Sequence, residues 1–194
     1  MERWCPPVPQ KTSTREKIIL AARKAFAKKG HDGVSMSEIA ENAGVKKALI
    51  YYYFPSKEDL FYEVWQYSLD ELEDHIFAEI ENENAYLKKI KKLLKAYIDF
   101  ITSKKEIRQM LLQEKGNFTR EDERTWQRIK DRYMSLRKRI SSLIEQAKLS
   151  QEINASVDPE GAAELILNGL SSTDNPKSIE TVKEIIWRGL VVKE

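Results

Sequence analysis

The chain has 194 residues, of which 41% are hydrophobic and 33% charged, and its formal net charge is +2. This apolar content suffices for a buried core and excludes a chain that is mostly disordered. One cysteine, Cys5, excludes an internal disulfide, and two histidines, His31 and His75, without a Cys/His cluster predict no metal and no cofactor. No apolar run is long enough for a membrane span or a secretory signal, so we expect a cytoplasmic protein.

The N-terminal third carries the basic excess. Residues 1–60 contain 11 Lys and Arg against 7 Asp and Glu, whereas residues 61–194 contain 22 against 24. Residues 1–13 contain three prolines and lack helical periodicity, which predicts a flexible arm. Lys11 and Arg15 at its end can be read either as DNA contacts or as part of a free tail.

The first helix is predicted over Thr14–Lys29, with an apolar side and Gly30 as its stop. A second helix is predicted to begin at Ser35, where Ser35 and Glu38 have the spacing of a capping box. Gly44 suits the left-handed conformation that ends a helix, and a third periodic segment follows two or three residues later. The stretch 35–60 therefore predicts a helix-turn-helix.

The third helix has an unusual outward face. At about 100° per residue, Ala48 and Tyr52 lie opposite the buried Ile50, with Leu49 and Tyr51 beside them. Lys46 and Lys47 stand at the start of the helix, where backbone amides also favour phosphate. Two interpretations remain open from these residues: a helix that reads DNA, or a solvated hairpin whose tyrosines cover the core.

Helical patterns continue to the end of the sequence. Ser56 and Asp59 form a second capping pattern before a long helix, and Gly116–Asn117 predict a break. Asp158–Pro159 predict an N-cap followed by a helix, and the turn at 173–176 precedes the last helix. The predicted fold is all-α, with about nine helices in three regions: an arm (1–13), a three-helix helix-turn-helix domain (14–60) and a helical bundle for ligand binding and dimerisation (61–194).

The segments TREKIILAARKAFAKKG (14–30), SMSEIAENAGV and YYYFPSKEDL resemble the N-terminal domain of TetR-family transcriptional regulators. The likeness runs without a gap from residue 14 to about 62. It implies contacts with double-stranded DNA from ten residues: Ser35, Ser37, Lys46, Lys47, Ala48, Leu49, Tyr51, Tyr52, Tyr53 and Lys57. Where the family often has Ser, Gly and His, this chain has Lys46, Ala48 and Tyr53, so the operator sequence cannot be carried over.

The segment DPEGAAELILNGL (158–170) resembles the penultimate helix of the same family. The resemblance implies a homodimer through helices at about 158–171 and 177–192, although an intramolecular core would also explain their apolar residues. It also implies a small-molecule effector in the C-terminal region. Candidate pocket residues are Trp65, Tyr97, Phe100, Met110, Trp126 and Tyr133. An aromatic stripe at helical spacing is equally typical of plain core.

The resemblance implies a ligand-responsive regulator, most simply a repressor, that binds a palindromic operator as a homodimer and is released by the ligand. The alternative is a regulator or helical adaptor of the same fold controlled by a protein partner. No Ser-His-Asp order and no glycine-rich phosphate loop supports an enzyme. The acidic cluster Glu114, Glu121, Asp122 and Glu123 is interpreted as a solvated loop. No membrane association is expected.

Overall fold

The computed structural model describes residues 13–114, 124–172 and 174–191. Within those ranges the chain forms nine α-helices and no β-strand. They are α1 Thr14–Lys29, α2 Met36–Ala43, α3 Lys47–Tyr53, α4 Lys57–Ile80, α5 Tyr86–Ser103, α6 Lys105–Glu114, α7 Arg124–Leu149, α8 Pro159–Ser171 and α9 Pro176–Leu190. The predicted all-α architecture, with a three-helix N-terminal unit before a helical bundle, is confirmed. We call α1–α3 the head and α4–α9 the body.

Several predictions fall outside the described residues. These are the arm up to residue 12 with Cys5 and Lys11, the break at Gly116–Asn117, the acidic residues Glu121, Asp122 and Glu123, and Thr173 of the predicted turn. The backbone of Glu114 ends α6, but its side chain also lies outside the described part.

In the head, α1 and α2 each begin after a capping serine, but one part of the predicted capping box at Ser35 is absent. Ser35 Oγ accepts from the Glu38 backbone N–H at 3.2 Å, as expected. The Glu38 carboxylate does not return to Ser35, because it accepts from Lys29 Nζ at 2.6 Å. The complete capping box stands instead at α1, where Ser13 and Glu16 exchange both bonds.

The core of the head is closed by large aliphatic and aromatic side chains from all three helices. Ile19 and Phe26 of α1, Ile39 of α2 and Ile50 of α3 are almost completely buried. Gly44, at φ 66° and ψ 34°, makes the predicted left-handed turn between α2 and α3. Each buried side chain of this size contributes roughly 1.5–3 kcal/mol, so these four fix how α3 crosses the head.

Helix α4 joins the head to the body. It has 24 residues and a length of about 36 Å. Its buried apolar side chains, from Leu60 to Ile80, belong to one hydrophobic cluster that includes residues of both the head and the body. Ser56 caps the helix by accepting from the Asp59 N–H at 3.0 Å, as predicted.

The last two helices begin as the sequence predicts. Asp158 accepts from the Gly161 N–H at 2.7 Å, with Pro159 in the first turn of α8. Asn175 caps α9 in the same way before Pro176. Tyr97 of α5 donates its hydroxyl to the Leu167 carbonyl at 2.7 Å and so ties α5 to α8. None of the nine helices in the described part of the chain has the length and hydropathy needed to span a bilayer.

Candidate nucleic-acid interface

The outward face of α3 exposes three consecutive tyrosines. Tyr51 is 45% exposed, Tyr52 79% and Tyr53 37%, while Ile50 beside them is fully buried. Ala48 is exposed on the same side. Tyrosines in water leave much apolar surface unburied, and their hydroxyls can donate and accept hydrogen bonds. This face is therefore suited to a partner that offers both polar and apolar contacts.

Two lysines lie at the start of this helix. Lys46 occupies the N-cap position and makes no side-chain capping bond, which agrees with the loss of a hydroxyl there. Lys47 Nζ lies 5.9 Å from the centre of the Tyr51 ring. Both lysines are exposed, and neither forms an ion pair with an acidic side chain among the described residues. Their charge is available to an external anion.

The other residues of the head that are predicted to contact DNA differ in exposure and in the hydrogen bonds that they already make. Ser35 and Ser37 are exposed at the start of α2. Ser35 accepts from the Glu38 amide but keeps its hydroxyl proton to donate. Leu49 is half-buried beside the tyrosines and offers only apolar contact.

Lys57 is half-buried and already engaged. Its Nζ donates to the His31 carbonyl at 3.0 Å, which joins the first turn of α4 to the loop between α1 and α2. An ammonium group has three donors, so two remain for a phosphate. Arg15, interpreted earlier as either a DNA contact or part of the tail, pairs with Glu63 of α4 and lies over the Phe54 ring.

The head is tied to the body by polar contacts that the sequence did not reveal. Glu71 of α4 accepts from Arg23 of α1 at 2.8 Å and from Lys104 at 2.6 Å. Burial opposes the ionisation of Glu71, but the hydrogen bonds from Lys104 and Arg23 outweigh it and hold its pKa below the usual value. Gln113 Nε2 of α6 also donates to the Ala27 carbonyl of α1 at 2.8 Å.

A second ionic cluster joins α4 to α7. The Glu73 carboxylate accepts from Arg132 and Arg139, and Arg132 also bonds Asp70 at 2.7 Å. Burial opposes the ionisation of Glu73, yet the hydrogen bonds from Arg139 and Arg132 lower its pKa. The one sign of these ionic contacts in the sequence is the position of two ionisable residues. Glu73 of α4 and Arg23 of α1 both stand on the apolar, buried side of their helices.

The six predicted ligand contacts lie in the body as follows. Trp65, Tyr97, Phe100, Met110 and Trp126 are each at most 2% exposed and belong to the hydrophobic core. Tyr133 is half-buried, and its hydroxyl lies 3.1 Å from Asn168 Oδ1. Burial raises the pKa of Tyr133 to about 12 and also raises that of Tyr97. Trp126 borders a surface cavity of about 360 Å³ beside His31.

The structure gives no arrangement of side chains typical of a metal site in the described ranges. His31 packs its ring against Phe61, with 4.8 Å between ring centres, and its Nδ1 lies 2.9 Å from Asp32 Oδ1. This histidine therefore belongs to the packed contact between the head loop and α4.

A three-helix head that presents an exposed, lysine-flanked helix on a helical body defines a helix-turn-helix transcriptional regulator. Residues 18–64 match the family model described as bacterial regulatory proteins, tetR family. This match identifies residues 18–64 as an N-terminal domain of the TetR family, and the predicted resemblance to this family is confirmed.

Relatives of known role are similar to parts of the chain. The transcriptional activator FasR of Mycolicibacterium smegmatis is 30% identical over 87 residues, which span 45% of this chain and 40% of that protein. The biofilm operon negative regulator IcaR of Staphylococcus aureus is 28% identical over 136 residues, 70% of this chain and 72% of its own length. The match with FasR thus covers less than half of the length of FasR.

The fold has a close counterpart among solved structures. FadR of Bacillus subtilis, a transcriptional regulator solved in complex with stearoyl-CoA, superposes with a TM-score of 0.76 at 18% identity. The superposition covers 89% of this chain and 97% of that one. At this identity the likeness concerns the fold alone.

Proposed function

We propose that this protein is a ligand-responsive repressor that binds a palindromic operator as a homodimer. The observation that carries the proposal is the α3 face, where three exposed tyrosines follow two lysines that have no acidic partner among the described residues. Exposure of such a face to water alone adds little to the stability of a monomer. DNA phosphates and base edges, in contrast, match both its charge and its hydroxyls. The similarity to a negative regulator over 70% of the chain supports repression rather than activation.

In the proposed complex α3 lies in the major groove. Lys46 and Lys47 contact phosphates, together with Ser35, Ser37 and Lys57 around the head. The tyrosines reach phosphates or base edges, and Ala48 and Leu49 offer apolar contact to thymine methyl groups. Two copies related by a twofold axis place their α3 helices about 34–36 Å apart, on half-sites one turn apart.

The dimer is proposed to form through α8 and α9. Leu165 of α8 is 48% exposed and Ile185 of α9 is 61% exposed, although both helices bury their opposite sides in the body. An added Cβ at Gly169 would meet Leu165 and Val182 at 3.3 Å, so the two helices already pack closely. A second copy would cover Leu165 and Ile185 in a self-complementary contact.

The effector is proposed to bind between α5, α7 and α8. Tyr97 and Tyr133 bring hydroxyls to α8 there, beside Phe100 and Met110. The regulator FadR, which shares this fold, was solved with stearoyl-CoA, and this supports an apolar or acyl ligand. Since the region is packed, ligand entry must separate helices of the body. That movement would reach the head through Glu71 and α4.

DNA binding is tested by fluorescence anisotropy with DNA from upstream of the protein's own gene. The double variant Lys46→Ala with Lys47→Ala should weaken binding, and the slope of log K against log salt should fall by about one for each phosphate that is no longer neutralised by a lysine. The control is Lys105→Ala with Lys138→Ala, which removes the same charge from exposed positions on α6 and α7. Unchanged affinity and unchanged salt dependence in the first variant would make the assignment of α3 wrong.

The operator itself is found by selecting genomic fragments with the purified protein. We expect enriched fragments to share an inverted repeat, because a symmetric dimer reads both half-sites alike. Selection without any enriched sequence would favour the alternative, a helical adaptor of the same fold controlled by a protein partner.

A further inference from the structure

A stripe of lysines runs along α5 outside the DNA-binding face. Lys88, Lys91, Lys92 and Lys95 are exposed and have the spacing of one face of a helix. Three of them, together with Trp187 and its neighbours on α9, line an open groove of about 460 Å³. We call it the α5–α9 groove; its walls are Lys91, Lys92, Leu94, Lys95, Glu180, Lys183, Glu184 and Trp187.

The acidic residues of the groove are already compensated. Glu180 accepts from Lys183 at 2.6 Å, and Glu184 accepts from Arg188 at 2.8 Å. Lys92 in turn pairs with Glu83 at 3.2 Å. The groove therefore keeps an excess of positive charge that its own carboxylates do not neutralise.

Lys91 and Lys95 carry this excess. They lie one helical turn apart, and neither has an ion pair among the described residues. Two ammonium groups this close repel each other, and an anion with several oxygens placed between them would remove the repulsion. A phosphate or diphosphate has that charge and those acceptors.

The other wall offers an aromatic surface. Trp187 is half-buried and packs on the core of the body, and Lys91 Nζ lies 5.7 Å from the centre of its ring. The indole face is thus turned towards the cations of α5. An apolar planar group of a ligand can lie against this ring while its phosphates reach the lysines.

The groove lies apart from the head but beside the proposed dimer face, because Glu180 and Glu184 border both the groove and Ile185. The exposed Ile185 lies on another side of α9 from Trp187, two residues or about 200° around the helix. The groove also contains none of the head residues. A ligand in the groove therefore does not touch the proposed DNA-binding face.

We infer that the α5–α9 groove is a binding site for a small phosphate-bearing molecule with a planar ring, such as a nucleotide. The phosphates lie between Lys91 and Lys95, and the ring lies against Trp187. A groove of about 460 Å³ fits a molecule of this size rather than a folded partner.

The inference is tested by isothermal titration calorimetry of the full chain at low salt with ADP, pyrophosphate and adenosine. We expect ADP to bind most tightly, pyrophosphate more weakly and adenosine not measurably. Lys91→Gln with Lys95→Gln should weaken ADP binding by about tenfold or more, because both ammonium groups that hold the phosphates are removed. The control, Lys105→Gln with Lys138→Gln, removes equal charge elsewhere and should stay within about twofold of the original protein.

Trp187 is tested separately. Trp187→Phe should keep the preference for ADP over pyrophosphate, and Trp187→Leu should abolish it, with circular dichroism confirming that both variants fold. Absence of ADP binding would overturn the inference. Equal losses of ADP affinity in the two double lysine variants would also overturn it, because they would show a general effect of net charge. Equal affinity for ADP and pyrophosphate would overturn the role of the ring and hence the nucleotide class.

Discussion

Arg23 Nη1 of α1 donates to Glu71 Oε2 of α4 at 2.8 Å, across the boundary between head and body. The arginine side chain is only 10% exposed, and the other oxygen of Glu71 accepts from Lys104, which lies between α5 and α6. One carboxylate thus holds three segments together: a helix of the head, the connecting helix and the α5–α6 junction. A movement in the body that displaces Lys104 would therefore act on α1 through this carboxylate.

Glu71→Gln should weaken this connection. The amide keeps the shape but loses the charge opposite Arg23 and Lys104, so we expect a loss of about 1–3 kcal/mol in the free energy of unfolding. Denaturant unfolding measures this loss. The matched control is Glu180→Gln, whose exposed pair with Lys183 should contribute less than about 1 kcal/mol. Equal effects of the two substitutions would contradict the structural role of Glu71.

Stability should fall in acid because of Glu71 and Glu73. The hydrogen bonds from their basic partners lower the pKa of both carboxyls in the folded protein, so the unfolded chain binds their protons more readily. Their contribution is fully present above the unfolded pKa and is lost as the pH falls through the lower folded pKa. Thermal unfolding between pH 7 and pH 3 should show this loss. In Glu73→Gln the melting temperature should decrease less steeply as the pH falls. A pH profile identical to that of the original protein would contradict this role of Glu73.

Tyr52 and Ile50 should separate DNA binding from folding. Tyr52→Ala should change the free energy of unfolding by less than about 0.5 kcal/mol, since that side chain is 79% exposed. Its DNA affinity should fall by about tenfold, as expected when one base or phosphate loses its hydrogen-bond partner. Ile50→Ala, two residues away and fully buried, should instead cost about 2–5 kcal/mol in stability. Anisotropy and thermal unfolding on both variants measure the contrast, which would be absent if α3 only covered the core.

The proposed dimer should dissociate when charge is placed in its interface. Leu165→Lys with Ile185→Lys leaves the buried sides of α8 and α9 intact, so the monomer should fold while self-association is lost. Sedimentation velocity measures the mass, and operator affinity should fall because the two heads are no longer linked. Met134→Lys, at a 38% exposed apolar position on α7, is the control and should remain dimeric. An unchanged mass in the double variant would exclude α8 and α9 as the interface.

The predictions from sequence succeeded where structure is local. Gly44 ends α2 and Asp158 caps α8 because the residues concerned are neighbours in the chain. The expected capping box at Ser35 was half wrong, since Lys29, nine residues before Glu38, takes that carboxylate. Spacing cannot reveal a competitor on another helix.

The body shows the same limit at longer range. The lysine stripe of α5 is visible in the sequence, but Trp187, which completes the groove, lies about ninety residues further on. Glu71 likewise meets Arg23 at a separation of 48 residues. Helical periodicity also gives core and pocket wall the same pattern, so Tyr97 and Phe100 stay predictions as ligand contacts.

The absence of a side-chain capping bond at Lys46 affects the dynamics of the first turn of α3. No side-chain oxygen at this position accepts from the first amide N–H groups of the helix, although the Leu49 N–H donates to the Lys46 carbonyl at 2.9 Å. A DNA phosphate would take the place of the missing hydroxyl and complete the helix. Amide protons of the first turn of α3 should therefore exchange with solvent more slowly once the operator is bound. In the proposed complex, operator DNA would thus complete the hydrogen bonding at the start of α3.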